Sequence, residues 1–316
     1  MQLTKADFMI EARGLTKRYG DKTAVDDVTF TVQPGTVTGF LGPNGAGKST
    51  TMRMIVGLDR PTAGTVTVNG KPYAAHRAPL HEVGVLLDAR AVHTGRSAYH
   101  HLCAMAATHG IPTKRVREVI ELTGLERVAG KRVGSFSLGM GQRLGIAAAL
   151  LGDPMTLILD EPVNGLDPEG VRWVRTMTRS LADDGRTVFI SSHLMSEMAQ
   201  TADQLLVIGR GRIITSAPIA DVIATATTPT VRVVTPRPRE LTDALTGHGA
   251  TVSSRAPGEL EVSGFSSAEI GELAAQRQLP LHELTPVSAS LEEAYLSLTH
   301  DQVEYRSETR PEGAQS

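Results

Sequence analysis

Apolar and polar residues alternate in short bursts at the start of the chain. Ile10–Leu15, Val28–Val32, Thr36–Leu41 and Thr65–Val68 are rich in β-branched residues and bounded by Gly, Asp and Pro turn signals, which predicts a mainly β N-terminal part. From about Ser97 to Leu151 the pattern changes to Ala, Leu, Arg and Glu with almost no β-branched runs, which predicts a helical insert over about residues 90–152. Short apolar strands return at Leu157–Leu159, Val188–Ile190 and Leu205–Ile208. Each is flanked by polar or helical stretches, the pattern of a buried mixed or parallel sheet. After Pro218 the composition shifts through the linker-like Ala224–Pro229. Beyond it, Val231–Thr235, Glu259–Val262 and Leu281–Leu284 read as strands and Arg239–Thr246, Ser267–Gln276 and Ser290–Leu298 as helices, the last with a Ser290/Glu293 capping box. The expected organisation is an α/β domain over 1–225, a small α+β module over 226–300 and a polar, disordered tail over 301–316.

Composition narrows what these units can do. The chain has 316 residues, 32 Lys+Arg against 34 Asp+Glu and a formal net charge of -2, so it lacks the electrostatic footprint of a protein devoted to nucleic acid. Cys103 is the single cysteine, which excludes an internal disulfide framework and suits a reducing compartment. Apolar runs such as Ala147–Leu151 fall far short of the roughly 20 residues of a membrane-spanning helix. The start, with Lys5, Asp7 and Glu11, does not read as a signal peptide. If the protein works at a membrane, another chain must supply the spanning part.

The chemistry concentrates in a few segments. Gly42-Pro43-Asn44-Gly45-Ala46-Gly47-Lys48-Ser49-Thr50 matches the Walker A pattern in full and lies between the strand Val37–Leu41 and a helical stretch. Its glycines let backbone N–H groups turn inward around phosphates, and the helix N-terminus adds partial positive charge. Lys48 is placed to reach the β- and γ-oxygens, and Ser49 to bind Mg²⁺. Leu157-Ile158-Leu159-Asp160-Glu161 delivers two carboxylates to the C-terminal end of an apolar strand, where ligands sit in α/β sheets. There Asp160 would hold Mg²⁺ and Glu161 would act as general base on the attacking water. His93, His100 and His101 cluster in sequence, but no carboxylate or cysteine follows a ligand spacing, so no metal site is read there.

The segment Ser135-Phe136-Ser137-Leu138-Gly139-Met140-Gly141-Gln142-Arg143, shortly before Asp160-Glu161, resembles the signature sequence of ABC-type ATPases. Its form departs from the common Leu-Ser-Gly-Gly-Gln but keeps the serine and one glycine. The order Tyr19, Walker A, Asp88, signature, a Walker B-like Leu157–Glu161, Asn164-Gly165-Leu166-Asp167 and His193 is similar to that of ABC transporter nucleotide-binding subunits over the first two thirds of the chain. The Ser-Leu-Gly-Met signature, an acidic residue where a glutamine is usual and the closing Ser290–Leu296 resemble the drug- and bacteriocin-exporter subgroup.

That resemblance implies a P-loop ATPase fold with an N-terminal antiparallel β subdomain and a helical subdomain. It also implies ATP and Mg²⁺ as ligands. Tyr19 would stack on adenine, His193 would contact the γ-phosphate, and Asp88 would take the metal- or water-sensing position of the glutamine. Two copies, or a heterodimer of ATPases, would stack head to tail so that Ser137 and Gly139 of one subunit close the other's ATP site, with Asp167 in the loop that crosses between them. A separate integral-membrane permease would take the motion, meeting the segment at about Ala89–Leu102, and the chain would sit peripherally on the cytoplasmic face of the cell membrane. The rival from another class is a soluble ABC ATPase acting on a ribosome or DNA. Against it stand a single Walker A and the absence of sustained heptads. A P-loop GTPase would need an Asn-Lys-x-Asp motif, which the chain lacks.

Overall fold

The computed structural model describes residues 9–225, 230–287 and 291–299. Ser290, with its capping box, and the tail over 301–316 lie outside the described residues. Two compact units divide the chain, one of residues up to Ile219 and one of Ala220–Leu298.

The first unit opens with a hairpin. Strands β1 (Ile10–Tyr19) and β2 (Lys22–Val32) pair antiparallel around the two-residue turn Gly20-Asp21, where Gly20 takes a positive φ of 56°. Strand β3 (Val37–Leu41) is buried at every position and leads through the glycine loop into helix α1 (Lys48–Ile55). Strand β4 (Ala63–Val68) then pairs with β1, giving a three-stranded antiparallel sheet in the order β2-β1-β4. A short helix α2 (Pro79–Glu82) precedes strand β5 (Val83–Leu86), and helices α3 (Ala98–Thr108), α4 (Thr113–Leu122) and α5 (Leu138–Leu150) follow as the helical part. The chain continues as β6 (Thr156–Leu159), α6 (Pro168–Asp183), β7 (Thr187–Ser192), α7 (Met195–Thr201), β8 (Gln204–Gly209) and β9 (Arg212–Pro218). These build a six-stranded sheet in the order β5-β6-β7-β3-β8-β9. It is parallel except for β9, which folds back antiparallel on β8.

The two sheets share one core. Phe30 of β2, Phe40 of β3 and Phe189 of β7 stack with centroid separations of 5.2–6.1 Å, and all three are buried. Helix α5 lies against β5 at unusually short range. A Cβ on Gly84 would fall 2.1 Å from the Ala149 carbonyl oxygen, so only glycine admits the helix at this distance. This close approach sets where the first turns of α5 stand relative to the strand ends.

The second unit starts with helix α8 (Ile219–Thr225) and runs β10 (Thr230–Val234), α9 (Pro238–Thr246), β11 (Thr251–Ala256), β12 (Glu259–Ser263), α10 (Ser267–Gln276), β13 (Glu283–Val287) and α11 (Leu291–Thr299). Its antiparallel sheet has the order β11-β12-β10-β13. Val231, Val233, Leu260 and Val262 alternate onto one face, where Leu241 and Leu245 of α9 and Ile270 and Leu273 of α10 complete the core. Arg232 projects the other way and pairs with Glu259 at 2.7 Å. Helix α10 starts with a complete capping box between Ser266 and Glu269.

Three strands depart from the sequence reading. Strands β9 and β11 were not expected, because both are sheet edges with polar, half-exposed residues and carry too few apolar positions to show alternation. Strand β13 begins at Glu283 rather than Leu281. It contains Pro286, which an edge strand tolerates because one side of its backbone needs no ladder donor.

Candidate active site

The loop from β3 into α1 builds the centre of the site. Gly47 has φ +108° and a Cβ there would lie 2.7 Å from the Ala24 carbonyl oxygen, so this turn requires glycine. Lys48 follows, with its side chain only 6 % exposed; its Nζ donates to the Gly42 carbonyl at 2.6 Å and the Pro43 carbonyl at 3.3 Å. Burial pushes its ammonium below the usual lysine range, and the nearby carboxylates of Glu161 and Asp160 oppose that shift. Tyr19, Pro43, Asn44, Gly45, Gly47, Lys48, Ser49, Thr50 and Glu161 line one cavity of about 430 Å³. Gly42 and Ala46 support it from beneath: Gly42 accepts Lys48, and the buried Ala46 carbonyl accepts the Gly211 N–H at 3.0 Å.

The end of β6 supplies the acids. The Asp160 N–H donates to the Leu86 carbonyl at 2.7 Å, which carries the strand pairing one residue beyond β6. Ser191, at the end of β7, donates its hydroxyl to Asp160 Oδ1 and accepts the Glu161 N–H at 2.9 Å, so one side chain ties both acids to the sheet. Glu161 has φ +49°, in the left-handed region that non-glycine residues avoid. Its carbonyl accepts the Gln142 side-chain amide at 2.9 Å. Its carboxylate stands between two bases: Oε1 is 3.7 Å from Lys48 Nζ, and Oε2 accepts from His193 Nδ1 at 2.8 Å. An ionised carboxylate only accepts, so His193 carries its proton on Nδ1 in this pairing and, when neutral, presents Nε2 as an acceptor.

At the other side of the cavity Tyr19 is anchored rather than loose. Its hydroxyl donates to Asp59 Oδ2 at 2.9 Å, Arg53 holds the same carboxylate from Nε at 2.8 Å, and Lys17 Nζ lies 4.9 Å from the ring centroid. Desolvation and the bond to Asp59 raise the Tyr19 hydroxyl above its ordinary value, while the Arg53 guanidinium holds Asp59 below the usual carboxylate range. Tyr19 as a residue remains 49 % exposed and borders the cavity.

Ser137, Gly139 and Asp167 do not join this cavity. They border a separate hollow of about 280 Å³ with Met140, Arg143, Gly165 and Leu166. Ser137 caps α5 by accepting the Met140 N–H at 3.3 Å, and Asp167 caps α6 by accepting the Gly170 N–H at 2.9 Å. The cap uses one lone pair of the serine, so its O–H is left to donate. Asp88, expected in the metal set, stands outside this cavity. It follows β5, but its Oδ1 accepts the Arg90 N–H at 2.8 Å and it is absent from the cavity lining. A side chain this short closes its own turn, where a longer one would reach out. Ser191, Gln142, Asp59 and Arg53 were not assigned roles from sequence. Gln142 stands inside the signature segment, so its proximity to that motif was the available signal, whereas nothing local marked the other three.

Comparison with known proteins agrees with this geometry. The ABC transporter family model matches residues 25–164, and a domain of unknown function matches residues 229–292. The chain is 42 % identical over 213 residues to the bacitracin transport ATP-binding protein BcrA of Bacillus licheniformis, covering 66 % of this chain and 70 % of that protein. It is 34 % identical over 294 residues to the uncharacterized ABC transporter ATP-binding protein YhcH of Bacillus subtilis, covering 92 % and 96 %. Among solved structures, the ATP-binding subunit of an ABC transporter superposes with a TM-score of 0.60 at 27 % identity, covering 69 % of this chain and 92 % of that one. A similarity that runs through nearly the whole of a relative leaves one assignment: the chain belongs to the ABC transporter family, as an ATP-hydrolysing subunit.

Proposed function

We propose that this chain drives a separate integral-membrane permease from the cytoplasmic face of the cell membrane, exporting a drug, antibiotic, peptide or lipid-like substrate. The similarity to a bacitracin transport protein supports that substrate range. No helix among the described residues is long and apolar enough to cross a membrane, which supports a partner chain as the spanning part.

The observation that carries the mechanism is the Glu161 carboxylate, held between Lys48 and His193 at the mouth of the phosphate loop. Glu161 takes the proton of the attacking water, Lys48 and the loop N–H groups bear the charge that grows on the transferred phosphoryl group, and His193 orients the carboxylate through Nδ1–H. Tyr19 stacks on the base. The site's donor set fits Mg²⁺: Ser49 contributes a hydroxyl oxygen, and Asp160 a buried carboxylate whose Oδ2 has no hydrogen bond among the described residues. Bound there, Mg²⁺ would neutralise charge on the β- and γ-phosphates. Asp88 retains a metal- or water-linked role, and ATPase activity equal to the native rate in Asp88→Ala would remove it.

Ser137, Gly139 and Asp167 act on a second copy or a related ATPase. Their hollow is apart from the chain's own nucleotide cavity, so two subunits arranged head to tail complete each other's sites. ATP bridging the two biases a closure equilibrium, and hydrolysis releases it to the permease. Glu161→Gln is expected to bind ATP, hydrolyse it poorly and accumulate as a closed dimer by size-exclusion chromatography. Normal turnover in that variant would take Glu161 out of the base role.

A further inference from the structure

Glu161 sits in a backbone conformation that an ordinary residue does not hold unaided, with φ +49°. Three hydrogen bonds hold it there, and they grip the two peptide units on either side of its Cα; one is the local turn bond from the Asn164 N–H to its carbonyl at 3.1 Å. Ser191 Oγ accepts its N–H at 2.9 Å, and Gln142 Nε2 donates to its carbonyl at 2.9 Å. Fixing both peptide planes fixes φ and ψ, and with them the direction in which the side chain leaves the strand. The Ser191 contact comes from within the sheet. The Gln142 contact comes from α5, the helix whose cap is Ser137 and whose first turn holds Gly139. Gln142 itself is 5 % exposed, so its amide has no water to fall back on.

We propose that Gln142 is a positioning residue: it aims the Glu161 carboxylate of its own subunit and thereby couples that base to the helix whose first turn completes the partner's site. The assignment builds on the reading of Glu161 as base. If α5 shifts relative to β6, the carbonyl of Glu161 is dragged with it or keeps only the local turn bond from Asn164, and the carboxylate leaves its place between Lys48 and His193. The subunit's own chemistry then depends on how its signature helix is seated, through one side-chain amide.

The test compares purified Gln142→Leu, Glu161→Gln and the double variant by steady-state ATP hydrolysis and by titration with a fluorescent ATP analogue. Gln142→Leu is expected to lower kcat by between about ten- and a hundredfold, with analogue affinity within about twofold of native. Adding it to Glu161→Gln is expected to cost no further rate, because it acts through the side chain already removed. An undiminished kcat in Gln142→Leu, or a full independent loss in the double variant, overturns the assignment. A loss in Gln142→Leu beside normal turnover in Glu161→Gln removes the base reading itself and the coupling with it.

Gln142→Glu decides the matter if the leucine variant does not fold. It keeps the shape but cannot donate when ionised, so its kcat relative to native is expected to rise as pH falls and the carboxyl regains a proton to give. A profile parallel to that of the native protein overturns the assignment.

Discussion

Lys48 Nζ stands 3.7 Å from Glu161 Oε1, so the phosphate-loop cation and the strand-end carboxylate are each other's counterions. Lys48→Met keeps the length of the side chain and removes this charge from a buried position. Turnover is expected to fall by about 10²–10³-fold, as when one preorganised donor is lost from a site of developing charge. ATP hydrolysis and fluorescent-nucleotide titration measure it, and activity near native would mean that Lys48 serves only the loop carbonyls it touches.

The proposed stacking of Tyr19 on the base makes a graded prediction. Tyr19→Ala removes the ring and is expected to weaken nucleotide binding by about 1–3 kcal/mol, the range for an aromatic–base stack. Tyr19→Phe keeps the ring but frees it from Asp59, so its effect falls between native and alanine, and Asp59→Ala matches it. Titration of the three variants gives the order, and equal affinity for native and Tyr19→Ala would remove the stacking role.

Two glycines at the interface of α5 and β5 separate by what an added methyl meets. At Gly84 it strikes the Ala149 backbone carbonyl at 2.1 Å, and at Gly145 it strikes the Leu86 Cδ1 at 2.5 Å, the end of a side chain that can turn aside. Gly145→Ala is expected to cost about 1–3 kcal/mol of stability and Gly84→Ala more, since backbone must move. Urea unfolding midpoints rank them, and the reverse order would contradict the packing described.

His101 links stability to pH. Burial holds its imidazole below the ordinary value, and the like charges of Arg96 and His93 add to this. The folded pKa is thus below the unfolded one, so the unfolded chain takes the proton first as pH falls. The contribution is complete above the unfolded pKa of about 6.5 and is lost as pH drops through the folded value. His101→Gln is expected to flatten the fall in melting temperature between about pH 7.5 and 5.5, and an unchanged slope would place the pH dependence elsewhere.

The parts legible in the sequence were those whose chemistry is written locally. The glycine loop, the Asp160-Glu161 pair and the parallel strands β3, β6, β7 and β8 each announce themselves within a few residues, because a phosphate cradle needs its glycines in a row and a buried strand needs continuous apolar positions. What sequence did not reveal depends on contacts far along the chain. Ser191 is 31 residues from Asp160 and Gln142 is 19 from Glu161, and neither bears a mark of the bond it makes. Asp88 shows the converse: its position in the motif order suggests a role at the cavity, while the bond it makes is to the Arg90 N–H two residues away.

The stack of Phe30, Phe40 and Phe189 joins the strand beside Tyr19's, the strand that enters the phosphate loop and the strand that runs towards His193. Genetically, such a stack is pleiotropic. A small side chain at any of the three rings loosens the grip on base, phosphate and proton acceptor together. Weakened alleles at these core positions should therefore resemble active-site alleles, with nucleotide affinity and turnover declining in step as temperature rises, although none of the three rings lines the cavity.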